Sequence, residues 1–114
     1  MAVVSKNHRP SIFEYEDYRV FLGDLYSFYK VDKSYFSYRY FSKKAGFSSP
    51  NVLKLVIQGE RNLTATSIEK FSRALKLTKS EDEFFAYLVQ FNQANTEEER
   101  SWFAQKMVTP MSCW

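Results

Sequence analysis

Apolar side chains near the start of the chain recur at helical rather than strand spacing. Tyr18, Phe21, Leu22, Leu25 and Tyr29 fall on one stripe of a helix with 3.6 residues per turn. Ser11 and Glu14 upstream have capping-box spacing, so the pattern predicts a first helix from about residue 12 to Lys30. VDKSYF is polar enough to be a loop. Ser37 then caps a second, short helix over Tyr38 to Ala45, which Gly46 ends as a left-handed residue. Ser48 and Ser49 supply hydroxyl caps and Pro50 suits a first helical position, so a third helix is predicted to about Gln58, closed by Gly59. Thr64 caps a fourth over Ala65 to Lys76, with Ile68, Phe71, Ala74 and Leu75 as its apolar stripe. Thr78 with Glu81 and Thr96 with Glu99 repeat the capping-box spacing and open two more helices, near 79–94 and 97–108. SYFSYRYF alternates weakly, but the cap at Ser37 and the stop at Gly46 favour helix.

The expectation is an all-α fold, a compact bundle of five to six helices forming one domain over 11–108. Residues 1–10 are expected to be a flexible N-terminus and 109–114 a tail. With 45% hydrophobic residues, 18% aromatics, three Gly and three Pro in 114 residues, the composition fits a packed domain that buries roughly two thirds of its unfolded surface. The single cysteine, Cys113, cannot close an internal disulfide, and the single histidine, His8, offers no zinc-ligand set. A reducing, cytoplasmic location is expected. No apolar run approaches the ~20 residues that span a bilayer, and no membrane partner, metal or cofactor is expected.

The net charge of +3 hides a strong asymmetry. Residues 33–79 carry ten basic and two acidic side chains, whereas 1–32 carry four and five, and 80–114 carry two and six. One electropositive face suited to a polyanion is the implication, with a solvated basic surface as the plainer alternative.

Two short helices joined at Gly46 and followed by a third are what a helix-turn-helix needs. FSYRYFSKKAGFS resembles the first helix and turn of the lambda-repressor-like (Xre-type) helix-turn-helix domains, with Phe36, Phe41, Ala45 and Phe47 at apolar core positions and Gly46 at the turn. GERNLTATSIEKFSRALKL is similar to the stretch that follows the recognition helix there. The resemblance places the unit at 36–77. More broadly, IFEYEDYRVFL, SYRYFSKKAGFSSPNVLKLVIQGERNLT and FFAYLVQFNQANTEEE, together spanning roughly residues 12–103, resemble an uncharacterised bacterial family frequent in predatory bacteria, whose N-terminal region is helix-turn-helix-like. Its members usually carry a second, C-terminal domain, which is not expected within this sequence.

The resemblance implies a double-stranded DNA partner and a transcriptional regulator that docks helix 49–58 in the major groove. Ser48, Ser49, Asn51 and Lys54 would then face base edges, while Arg39, Lys43, Lys44, Arg61 and Asn62 would hold phosphates. Two features depart from the repressor pattern. Gly46 to Gly59 is one residue longer than usual there, and VLKLVI is apolar nearly all round. Leu53 and Val56 suffice for a core, so Val52, Leu55 and Ile57 must be covered by helix one or five, by a partner, or by thymine methyls. The alternative reading is therefore a protein–protein interaction module on the same scaffold; single-strand or RNA binding is a further one. A homodimer reading two half-sites is expected. Its candidate contact, or that of another protein, is formed by Phe84, Phe85, Leu88, Phe91, Trp102 and Phe103 on the acidic last two helices.

The remaining features suggest no catalysis. The aromatic run Tyr35, Phe36, Tyr38, Tyr40, Phe41 has helical spacing and reads as core plus half-exposed tyrosines more readily than as a base-stacking platform. Glu97, Glu98 and Glu99, like Asp82 and Glu83, are first-turn acids suited to a helix dipole. No Ser-His-Asp, Cys-His or metal-ligand spacing supports an enzyme.

Overall fold

Six α-helices and one 3-10 turn make up the computed structural model, which describes residues 9–108. The turn Ile12–Glu14 precedes α1 (Tyr18–Asp32), α2 (Tyr38–Ala45), α3 (Val52–Ile57), α4 (Ala65–Ala74), α5 (Lys79–Asn92) and α6 (Glu97–Val108). There is no strand among the described residues. The fold is all-α, as the periodicity implies.

The stripe on α1 is the centre of the core: Tyr18, Phe21, Leu22 and Leu25 are fully buried. They meet Val52, Leu53 and Val56 of α3 on one side and Phe85, Leu88 and Val89 of α5 on the other. Phe41 of α2 and Phe71 of α4 meet edge to face with ring centroids 4.9 Å apart, closing the second layer, in which α2 packs on both α3 and α4. α6 folds back antiparallel along α5, with the Tyr87 and Phe103 rings adjacent and Arg100 over Phe91.

Helix ends differ from the sequence expectation where a side chain has a better use elsewhere. Ser11 makes no cap bond, and the chain is extended again at Tyr15. The cap of α1 is Asp17, whose carboxylate accepts the Arg19 backbone N–H at 2.8 Å. A continuous helix would set Ile12 about 120° from the α1 stripe; the break lets it reach the core, where it is fully buried. Pro50 is not the first residue of α3. It lies in a turn with Asn51, whose N–H donates to Ser49 Oγ at 3.4 Å, so α3 starts at Val52 and is only six residues long. α4 stops at Ala74 because Lys76 adopts a left-handed φ of 59° and the Leu77 N–H donates back to the Ser72 carbonyl.

The caps at Ser37, Thr64 and Thr78 form as predicted, Thr78 with Glu81 as a full capping box. Thr96 Oγ1 accepts from Glu99 N–H, but the Glu99 carboxylate takes the Asn95 N–H rather than that of Thr96. The end of α5 is tied to the start of α1. Gln93 Oε1 accepts from the Tyr18 hydroxyl at 2.6 Å and from the Leu63 N–H at 2.9 Å, and its amide donates to the Leu63 carbonyl. Arg9, placed by sequence in a flexible segment, is instead anchored to Glu81 at 3.1 Å, the Tyr29 hydroxyl and the Leu75 carbonyl. Residues 1–8 of that segment, with His8, and the expected tail 109–114 with Cys113 lie outside the described residues.

Among the described residues no helix is long and apolar enough to cross a membrane, and no group of three His, Cys, Asp or Glu side chains is placed to hold a metal ion.

Candidate nucleic-acid interface

The turn between α2 and α3 is built from the backbone outward. Gly46 takes φ 88°, a left-handed conformation that L side chains rarely adopt, and its N–H donates to the Ser42 and Lys43 carbonyls. The Phe47 N–H also donates to Ser42, turning the chain so that the Phe47 ring stands edge-on to Phe71 at 5.5 Å. Two cations flank that ring. Lys70 Nζ lies 5.0 Å from its centroid and 3.4 Å from the Gly46 carbonyl, and the Arg61 guanidinium carbon lies 5.8 Å away on the loop after α3.

α3 leaves this turn with its apolar residues facing inward. Val52, Leu53 and Val56 are at most 1% exposed, and Ile57 is half-buried against α1. The close approach is made at Gly23, where a Cβ would stand 3.6 Å from Ile57 Cγ2. α1 therefore covers Ile57, and Val52 is buried in the common core, which leaves Leu55 as the half-buried remainder of the apolar surplus in VLKLVI. The outward face carries Asn51, Lys54 and Gln58, all exposed, with Leu55 half-buried beside them.

Arg19 is a neighbour of the candidate interface that sequence reasoning missed. From α1 it reaches across to the C-terminal end of α3, donating to the Val56 carbonyl at 2.6 Å, the Arg61 carbonyl at 2.9 Å and Asn62 Oδ1 at 2.7 Å. An arginine on a helix rim gives no local signal of a partner 37 to 43 residues away. Its fork adds a second donor to the Val56 carbonyl, which also accepts from the Gly59 N–H, and fixes the loop carrying Arg61 and Asn62.

The proposed base-reading and phosphate residues are placed unevenly. Ser48 and Asn51 are exposed and Ser49 half-buried, but all three precede α3 instead of forming its first turn; only Lys54 is on the helix. Asn51 makes no side-chain cap bond. Arg39, Lys43 and Lys44 are exposed on α2, Lys44 with its ammonium 5.9 Å from the Tyr40 ring centroid. Arg61 and Asn62 double as struts through Phe47 and Arg19. Ion pairs among the described residues are Arg9 with Glu81 and Lys33 with Asp32, so none of these five cations has a carboxylate partner.

The acidic side is separate. Between α4 and α5 an open groove of about 420 Å³ has Glu69, Asp82 and Glu83 around Leu63 and Ile68. Of the six residues proposed as a partner surface, Phe85 and Leu88 must be withdrawn: both are 0% exposed, because α5 turns them onto α1. Phe84 is half-covered by Phe13 at 5.1 Å, and Phe91 and Phe103 are half-buried. Trp102 remains half exposed, at 50%. The aromatic run likewise divides, with Phe36 and Phe41 in the core, Tyr38 stacked on Tyr26 at 4.2 Å, and Tyr35 exposed.

No family model, curated protein or solved structure matches this chain. Its residues alone carry the functional reading.

Proposed function

We propose that the protein is a DNA-binding module of the helix-turn-helix kind, lambda-repressor-like in its α2–α3 unit, that serves as a transcriptional regulator. α3 docks in the major groove, with the Asn51 carboxamide and Lys54 ammonium at base edges, Ser48 and Ser49 at the entrance, and Arg39, Lys43, Lys44 and Arg61 along the phosphates. One observation carries the reading: the exposed cations of α2 and α3 have no carboxylate partners among the described residues and stand on either side of a Gly46 turn. A fold that leaves this many like charges exposed and without carboxylate partners has a surface suited to a polyanion. The resemblance to an uncharacterised bacterial helix-turn-helix-like family belongs to the same reading.

Fluorescence anisotropy on random-sequence duplex DNA over a salt series tests it, with Lys43, Lys44 and Lys54 changed together to Glu. Three to five phosphate contacts predict that log affinity falls with log salt at a slope of about −3 to −4.5. The triple variant should not bind. Absence of low-salt binding by the parent protein refutes the reading.

The alternative, a protein-interaction module, rests on its own observation: α6 packs along α5 and leaves Trp102 half exposed. The same face is the proposed contact of a homodimer, and a concentration-independent monomer mass in solution counts against that contact.

A further inference from the structure

A small cavity of about 80 Å³ lies where the end of α1, the α1–α2 loop, α2 and the end of α4 meet. Its walls are aromatic. Phe36 is buried with its ring 5.3 Å from Tyr29 and 5.6 Å from Tyr40, and Tyr35 stands edge-on to Tyr40 at 5.0 Å. The wall nearest α4 is fixed, because the Tyr29 hydroxyl donates to the Leu75 carbonyl and accepts from Arg9 Nε, both at 3.1 Å. Tyr35 is 57% exposed and forms an open side.

The charged side chains that line this cavity are all cationic. Lys33, Lys44 and Lys76 line it and no acidic side chain does. Asp32 neutralises Lys33 at 2.9 Å, while Lys44 and Lys76 have no carboxylate partner among the described residues. Lys76 holds φ 59° directly after the end of α4, a position where Gly or Asn is the usual residue. A lysine kept in a left-handed conformation puts an ammonium group on this cavity that Gly would not supply.

We propose that this cavity binds a small aromatic anion, a single six-membered ring carrying a carboxylate or phosphate. The space of about 80 Å³ is smaller than the roughly 150 Å³ of a closed cavity that takes up benzene, so it seats one edge of a single ring and leaves the rest at the open side beside Tyr35. The ring inserts against Tyr29, Phe36 and Tyr40, where edge and face contacts favour an aromatic over a saturated ring. Its anionic group stays at the open side between Lys44 and Lys76.

Amide chemical shifts of the full chain, titrated with benzoate and separately with phenyl phosphate, test the proposal; the stronger of the two identifies the anion. At least one should move the amides of Tyr35, Lys44 and Lys76 saturably, while acetate, which lacks the ring, and phenol, which lacks the charge, should each bind about threefold or more weakly. Two variants separate binding from folding. Lys76→Gly relieves the backbone strain, so its thermal midpoint should rise while affinity for the anion falls by about threefold, and Lys76→Glu should weaken binding further. Tyr35→Ala, at an exposed position, should keep the fold and lose affinity. The proposal is overturned if neither anion shifts these amides, if acetate or phenol binds as well, or if Lys76→Gly and Lys76→Glu bind like the parent.

Discussion

Replacing Arg19 with Met tests whether one side chain on α1 holds the candidate interface together. The unbranched stem of Met keeps the packing but removes three donors: those to the Val56 carbonyl at 2.6 Å, the Arg61 carbonyl at 2.9 Å and Asn62 Oδ1 at 2.7 Å. Hydrogen bonds from a charged donor contribute about 1.5–3 kcal/mol each. Asn62 is exposed, so water replaces that bond at little cost, and the two carbonyls carry the effect. The guanidinium also lies 4.8 Å from the Tyr18 ring centroid, a cation–π contact of about 0.5–1 kcal/mol near a surface. Half-burial of Arg19 reduces the sum, and the expected loss is about 2–4 kcal/mol out of a total stability of roughly 5–15 kcal/mol. Urea unfolding followed by circular dichroism measures it, with an unchanged slope showing that the same surface is exposed. Arg39→Met, on the exposed face of α2, is the control and should stay within about 0.5 kcal/mol. In native-state hydrogen exchange the Gly59 and Glu60 amides, which donate to Val56 and Leu55, should open ahead of the core. A loss equal to that of Arg39→Met would refute the bracing role.

Three further outcomes follow from particular contacts. Ser42 is 1% exposed and its hydroxyl has no hydrogen-bond partner among the described residues, so Ser42→Ala should stabilise the fold by about 1 kcal/mol in urea unfolding; a loss of similar size would mean that the hydroxyl is satisfied. Two glycines should respond in opposite directions. Gly23→Ala places a Cβ in ordinary contact with Ile57 inside α1 and should gain about 0.5–1 kcal/mol, whereas Gly46→Ala meets no atom but forces a side chain to φ 88° and should lose about 1 kcal/mol, both read from thermal midpoints. Burial pushes the Tyr18 hydroxyl from 10.0 up to about 12. A raised folded value favours the neutral phenol, so its stability contribution is intact below pH ~10 and lost as pH rises through ~12, about 2–3 kcal/mol at most. Tyr18→Phe should flatten the alkaline fall in stability, and an unchanged pH dependence would assign that fall to other groups.

The helical stripes and three side-chain caps were legible because they are local. Ser37, Thr64 and Thr78 each meet a backbone N–H three residues away, and the α1 stripe follows directly from helical periodicity. What escaped is long-range. Whether Ser11 or Asp17 caps α1 depends on Ile12 finding a place in the core, and whether Phe85 faces solvent or core depends on α1 standing against α5. Arg19 is the clearest case, since its polar and charged character predicts a solvated rim and only the fold supplies its acceptors. At the candidate interface, the cations of α2 and Lys54 could be read as exposed from their spacing. The two-residue delay in starting α3 could not, because it comes from the Ser49–Asn51 turn competing with the proline signal.

Under the duplex-docking reading, the shortness of α3 limits what one copy can read. Only Asn51, Lys54 and Gln58 present polar atoms on its outward face, and Leu55 adds an apolar edge suited to a thymine methyl. A good bidentate base contact discriminates by about 1–3 kcal/mol, so the Asn51 carboxamide supplies one such contact and the single ammonium of Lys54 less. That falls at or below the roughly 4–10 kcal/mol separating specific from non-specific binding in typical regulators. The unpaired cations on α2 add affinity for any duplex without adding to this difference. Specific regulation then requires a second copy on an adjacent half-site, which doubles the discrimination. A protein that bound duplex DNA strongly as a strict monomer would, on this arithmetic, be a general DNA binder; one that dimerised through the Trp102 face would have the two half-sites that a regulator needs.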